Sequence, residues 1–178
     1  MARGYVALAF FDELASGMPT AGASDVLSQL HLRATAYAIA VFAIPQVFAM
    51  LVETPLLRWS DRRRDLRDKL IALGLLGMAA SMVIESSAHD VVTLAIGVAL
   101  FFPSTGVATA PGEGALVDAN PDDAERSMSR WSLLGYAGDV ATPLAIAALG
   151  FAHATSATAL VLVVAAALAA FTRTSHAA

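Results

Sequence analysis

Leu70-Ile71-Ala72-Leu73-Gly74-Leu75-Leu76 and Ala159-Leu160-Val161-Leu162-Val163-Val164 are the runs that decide the fold. Neither carries a charge. Each lies within a stretch close to the ~20 helical residues needed to cross a hydrocarbon core of ~30 Å. Outward from them, apolar runs alternate with short polar clusters. The pattern predicts about six spans, near 4–23, 34–57, 70–88, 92–115, 129–150 and 155–172. The first is the least regular, because Asp12, Glu13, Gly17, Pro19 and Gly22 fall inside it. Read as an interfacial or re-entrant segment, it would leave five.

Composition agrees with a membrane-embedded chain. Of 178 residues, 57% are hydrophobic and 15% charged, and mean hydropathy is +0.66. A soluble domain carries about a quarter charged residues. Crossings joined by short loops use nearly the whole length, so residues 1–178 read as a single all-α bundle with no room for an enzyme domain. No Gly-x-Ser-x-Gly site and no histidine–carboxylate metal set is present, which argues against an enzyme. The absence of cysteine excludes disulfides, thiolate metal sites and a Cys nucleophile. His31, His89, His153 and His176 have no zinc-binding spacing, so no metal or other cofactor is expected. Nor is a nucleic-acid partner. Arg3 and Ala21-Gly22-Ala23 resemble parts of a signal peptide, but Asp12 and Glu13 interrupt the apolar core after Phe11, so a retained segment is expected.

Basic residues orient the chain. Arg58, Arg62, Arg63, Arg64, Arg67 and Lys69 follow span two, Arg126 and Arg130 follow span four, and Arg3 and Arg173 flank the ends. In a six-span arrangement all of these fall on one side and only Arg33 on the other. Cytoplasmic loops collect Lys and Arg, so both termini are expected in the cytoplasm of a multi-pass protein. The alanine-rich composition suits a bacterial inner membrane.

Ionisable groups within a bilayer cost several kcal/mol unless they face a cavity or a partner. Here they cluster on particular faces. Asp12, Ser16 and Thr20 share one face of span one, and Thr105, Thr109 and Glu113 repeat that spacing on span four. Gln46 and Glu53 lie seven apart on span two, and Ser132 and Asp139 do so on span five. Spans one and four are therefore expected to line a wet path flanked by two and five. Spans three and six are expected to face lipid. For Glu53 and Glu113, near the cytoplasmic boundary, a position at headgroup level is an equal reading. Phe10-Phe11 precedes a Gly/Pro-interrupted stretch in span one, and Phe101-Phe102 precedes another, with Pro103, Gly106, Pro111 and Gly112, in span four. Interrupted spans at matching places in two halves point to a transporter site built on a 3+3 inverted repeat.

Three motifs make the chain resemble one six-helix half of a major facilitator superfamily transporter. Asp61-Arg62 match in place the signature Gly-x-Leu-x-Asp-Arg-x-Gly-Arg-Arg of the loop after span two. Leu57 and Arg64 replace its glycines, Trp59 its leucine and Asp65-Leu66 its last arginines. Gly138 and Pro143 match the Gly-x-x-x-Gly-Pro motif of the superfamily's exporters, with Thr142 for the second glycine. Phe11-Asp12-Glu13-Leu14 with Gly17 and Pro19, and Glu53 with Pro55, are similar to a prokaryotic subgroup of such transporters.

The resemblance implies that Asp61 and Arg62, with Glu53, belong to a cytoplasmic gate; the same charges would also simply set topology. It implies that Gly138 and Pro143, with Asp139 between them, let span five pack closely and bend. Asp12 and Glu13 would border the cavity, together with Gln46, Thr105, Thr109 and Glu113, binding protons or a cationic solute. The superfamily's unit is twelve spans with the path between two halves. A lone half would leave its polar faces against lipid, so a second copy in parallel orientation is expected to cover them. The function implied is a half-size, proton-coupled exporter of a small solute, working as a homodimer. The alternatives are one half of a heterodimeric transporter or a non-transporting scaffold subunit.

Overall fold

The computed structural model describes residues 2–22, 26–28, 33, 35, 38–47, 51, 55, 58–59, 62–63 and 66–171. Every regular element among them is helical: α1 (Ala2–Ser16), α2 (Met18–Ala21), a π-helical turn at Ala38–Ala43, α3 (Arg67–Ser86), α4 (Val91–Ala119), a 3-10 turn at Pro121–Asp123, α5 (Ala124–Leu149) and α6 (Phe151–Phe171).

Four of these, α3 to α6, are long and apolar enough to cross a membrane, α5 together with its 3-10 lead-in. Leu73, Leu76 and Val83 on α3, Leu133, Val140 and Leu144 on α5, and Leu160, Val164 and Leu168 on α6 all lie exposed. Apolar exposure on that scale marks a surface made for lipid or for a partner rather than for water. Among the described residues the structure is all helical, and its four long apolar helices are those of a membrane protein.

The expected spans three, five and six are met by α3, α5 and α6, with ends displaced by a few residues. The first expected span falls on α1 and α2, neither of which is by itself long enough to cross a membrane. Gly17 N–H bonds to Glu13 O at 3.1 Å, and Ala21, Gly22 and Val26 each bond four residues back at 2.9–3.0 Å, so the helical path runs on beyond Ser16. Pro19, with no N–H to give, accounts for the break between α1 and α2. Of expected span two, only Thr35, 38–47, Leu51 and Pro55 are described, with Ile44 to Val47 continuing helically from the π-turn. Span four departs from expectation. Its prolines do not interrupt it, and Val91–Ala119 is one helix with Pro103 and Pro111 inside. Each proline removes one backbone bond at a cost of ~3 kcal/mol in water. The helix stays whole because it is packed along α3, where Gly74 meets Ala108 and Ser104 of α4 between the two prolines.

The core forms where helices approach at small residues. At Gly74 of α3 an added Cβ would sit 2.5 Å from Ala108 N and 2.6 Å from Ser104 O of α4. Only glycine lets the two backbones come that close. Met78, Met82, Leu94, Val98 and Phe101 fill the space beside this crossing. α3 also packs along α6, whose buried Thr155 and Thr158 turn their hydroxyls back to Phe151 O and Ala154 O. Span three thus presents Leu73, Leu76 and Val83 outward, as expected of a lipid-facing helix, while its other side is packed against protein. Of the four candidate spans α3 is the most enclosed, because α4 and α6 both pack along it. Its polar residues, Ser81 and Glu85, are turned inward to α4.

Two short connections fix the hairpins. Asp90 caps α4, its carboxylate accepting from Val92 N at 2.9 Å, Thr93 N at 2.8 Å and Thr93 Oγ1 at 2.8 Å. The Thr93 bonds, backbone first, hold this exposed carboxyl below its ordinary range. Between α5 and α6 a single residue, Gly150, turns the chain with φ at 77°, a left-handed conformation that favours glycine.

Candidate functional site

The site forms where α1 meets α4 and α5. Gly138 of α5 lies against the α1 backbone; a Cβ there would stand 2.4 Å from Phe10 O and 2.9 Å from Leu14 N. One turn further on, Thr142 Oγ1 bonds across to Leu14 O at 3.0 Å and back to Gly138 O at 3.1 Å. Gly135, Gly138 and Thr142 thus form a small-residue stripe on which α1 lies. This gives physical content to the Gly138 and Thr142 positions read from the sequence. Pro143 lies next to the stripe, exposed and inside an unbroken α5.

Because adjacent helical residues point about 100° apart, Asp12 and Glu13 diverge from α1. Asp12 turns to α4, where the Thr105 hydroxyl donates a short hydrogen bond to its Oδ1. Glu13 turns to α5, its Cγ in the space left by Gly135, with the Ser16 hydroxyl donating to its Oε2 at 3.2 Å. Asp12, Glu13 and Glu113 together line a cavity of about 260 Å³, closed on its far wall by Trp131, Ser132 and Tyr136 of α5. The lining is acidic, three carboxylates with the hydroxyls of Ser132 and Tyr136 opposite them. A second cavity of about 380 Å³ continues the α1–α5 seam, lined by Ser16, Gly17, Thr20, Asp139, Thr142 and Pro143. Its walls are mainly small and hydroxylated.

The expected lining residues are therefore brought together only in part. Asp12, Glu13, Thr105 and Glu113 meet at the first cavity or its edge, and Thr109, half-buried on the same face of α4, bonds its own backbone at Thr105 O. Gln46 is exposed. Asp139 is not enclosed within the bundle; it is exposed on α5 at the mouth of the second cavity. Of the expected gate, Arg62 is exposed, whereas Asp61 and Glu53 lie outside the described residues.

An ion pair that no sequence motif announced closes the basic end of α3. Arg67 Nη1 bonds Asp118 Oδ2 at 2.7 Å, with the Arg67 side chain 9% and the Asp118 side chain 41% exposed. The guanidinium lies over Gly114, where an added Cβ would stand 3.0 Å from Nη2. Arg67 read from sequence as one more topology-setting charge. Its partner lies 51 residues on, past the expected end of span four, and only the unbroken length of α4 brings the two together. No group of three or more His, Asp or Glu suited to hold a metal occurs among the described residues.

Compared with known proteins, the chain matches no family model, no curated protein and no solved structure.

Proposed function

We propose that the chain is a half-size secondary transporter of a small solute, coupled to protons, that works as a parallel homodimer in a bacterial inner membrane. In this reading the α1–α2 path, the segment around 34–57 and α3 to α6 make a six-helix half built on a 3+3 inverted repeat, resembling half of a major facilitator superfamily transporter, with both termini cytoplasmic. The observation that carries the proposal is the polar seam. Three carboxylates meet in one cavity between α1, α4 and α5, and the same side of the bundle carries the exposed Ser132, Asp139 and Thr20. Groups like these facing hydrocarbon are costly. A second copy set against this seam would enclose them and turn an open trough into a path. Asp12, hydrogen-bonded by Thr105, is placed to take up a proton when the path closes and release it when water returns.

Access tests the reading without knowledge of the solute. The chain has no cysteine, so Ser132→Cys at the cavity wall introduces a single thiol. Treated with a membrane-impermeant maleimide in oriented vesicles, that thiol is expected to react from either face, as alternating access requires. Labelling from one face only, or from neither, contradicts transport and leaves the scaffold reading.

A further inference from the structure

Glu85, next to the last residue of α3, takes no part in the seam. It is 1% exposed and Ser81, one turn before it, is 0% exposed. Ser81 Oγ lies 2.9 Å from Glu85 Oε1 and 2.8 Å from Gly97 O of α4. Glu85 Oε2 has no hydrogen-bond partner among the described residues. The contact with α4 is close, for a Cβ on Gly97 would stand 2.7 Å from Glu85 Cγ.

The hydrogens can be counted. Ser81 has one hydroxyl hydrogen and two acceptors within reach. If Glu85 were ionised, its charge would have a single donor for two oxygens, one of them bare in an apolar enclosure, which is the costly way to bury a carboxylate. If Glu85 carries a proton, both contacts are satisfied in sequence: Glu85 O–H donates to Ser81 Oγ, and Ser81 O–H donates to Gly97 O. No neighbour among the described residues supplies a countercharge. On α4, Glu113 and Asp118 lie 16 and 21 residues beyond Gly97, roughly 24 and 32 Å along the helix. Asp90, at the start of α4, has its carboxylate engaged by its own helix cap. His153, the one ionisable group among the described residues of α6, is exposed on its first turn, and His89 is exposed in the connecting turn.

We propose that Glu85 is a buried proton-binding site, loaded while α3 and α4 are packed as here and unloaded only when that interface opens to water. On opening, the Glu85 O–H bond breaks, its proton passes to water, and the carboxylate left behind is hydrated. The site goes beyond the proposed transport cavity and stands whether or not the chain transports. In a transporter it would tie the α3–α4 contact, remote from Asp12, to the proton.

Infrared difference spectroscopy on the full chain in lipid at neutral pH tests it. Wild type minus Glu85→Gln should contain the carbonyl stretch of a protonated carboxylic acid, and 13C-glutamate should shift that band. Gln donates to Ser81 as the protonated acid does, so the variant is expected to fold. Ser81→Ala gives a second reading on its own: the band should persist and move to higher frequency with loss of its hydrogen bond. In D2O the wild-type band should shift only as slowly as the backbone amides of α3 exchange. A difference spectrum with carboxylate bands alone overturns the proposal, as does a band unmoved by Ser81→Ala or shifted at once in D2O.

Discussion

Replacing Gly138 with valine is expected to separate α1 from α5 and to unmake the carboxylate cavity. Even the first added carbon would stand 2.4 Å from Phe10 O and 2.9 Å from Leu14 N, and both are backbone atoms. No side-chain rotation relieves such a contact, so α1 must move as a body. Overpacking of a core site usually costs about 1–3 kcal/mol. Here the displaced element also carries Asp12 and Glu13, and its movement breaks the Thr142–Leu14 bond. Thermal unfolding in detergent should show the variant at or beyond the upper end of that range. Ala147→Val, exposed on the same helix, should remain within about 0.5 kcal/mol of wild type. Equal stability of the two variants would mean that the α1–α5 crossing is not as close as described.

The second large effect is functional. With the Ser132→Cys reporter, the ratio of labelling from the two faces should follow pH in the wild-type background, by up to about tenfold per pH unit. That ceiling follows because one proton linked to a two-state equilibrium contributes at most ~1.4 kcal/mol per unit. Asp12→Asn should flatten the ratio. The asparagine keeps a side-chain oxygen to accept from Thr105, so the loss of stability should stay within the ~0.5–1.5 kcal/mol of one hydrogen bond. A ratio that still follows pH in Asp12→Asn would remove Asp12 as the coupling carboxylate and direct attention to Glu13 and Glu113.

Much of the fold was legible from hydropathy, because an apolar run of spanning length has few alternatives. Spans three, five and six were read on that basis. The error over span four was one of local against tertiary forces. Pro103 and Pro111 are breakers in isolation, but packing on α3 keeps the helix whole. The enclosure of α3 was missed for a different reason. From Leu70 to Ala80 its sequence is apolar on every face, so periodicity there could not say which side lay against protein. The available signs were Gly74, since glycine at a helix crossing marks close approach, and Ser81 with Glu85 on one face near its end. In the site, the shared faces of Asp12 and of Thr105, Thr109 and Glu113 were readable from four-residue spacing. The divergence of Asp12 and Glu13, the Arg67–Asp118 pair and the Ser81–Glu85–Gly97 chain depend on distances between helices that spacing does not contain.

Dimerisation is the step on which the enclosed path depends. Disulfide crosslinking in native membranes measures it, using the cysteine-free background. Two differently tagged copies would be co-expressed, one with Val47→Cys and the other with Val140→Cys, both at exposed positions, of which Val140 adjoins Asp139. Leu168→Cys on α6, also exposed, is the lipid-facing control. A homodimer joined along the seam predicts an oxidised Val47–Val140 product at twice the chain's mass and none from the α6 control. No product from the pair, or equal product from the control, would contradict the homodimer and leave the polar seam to a different partner.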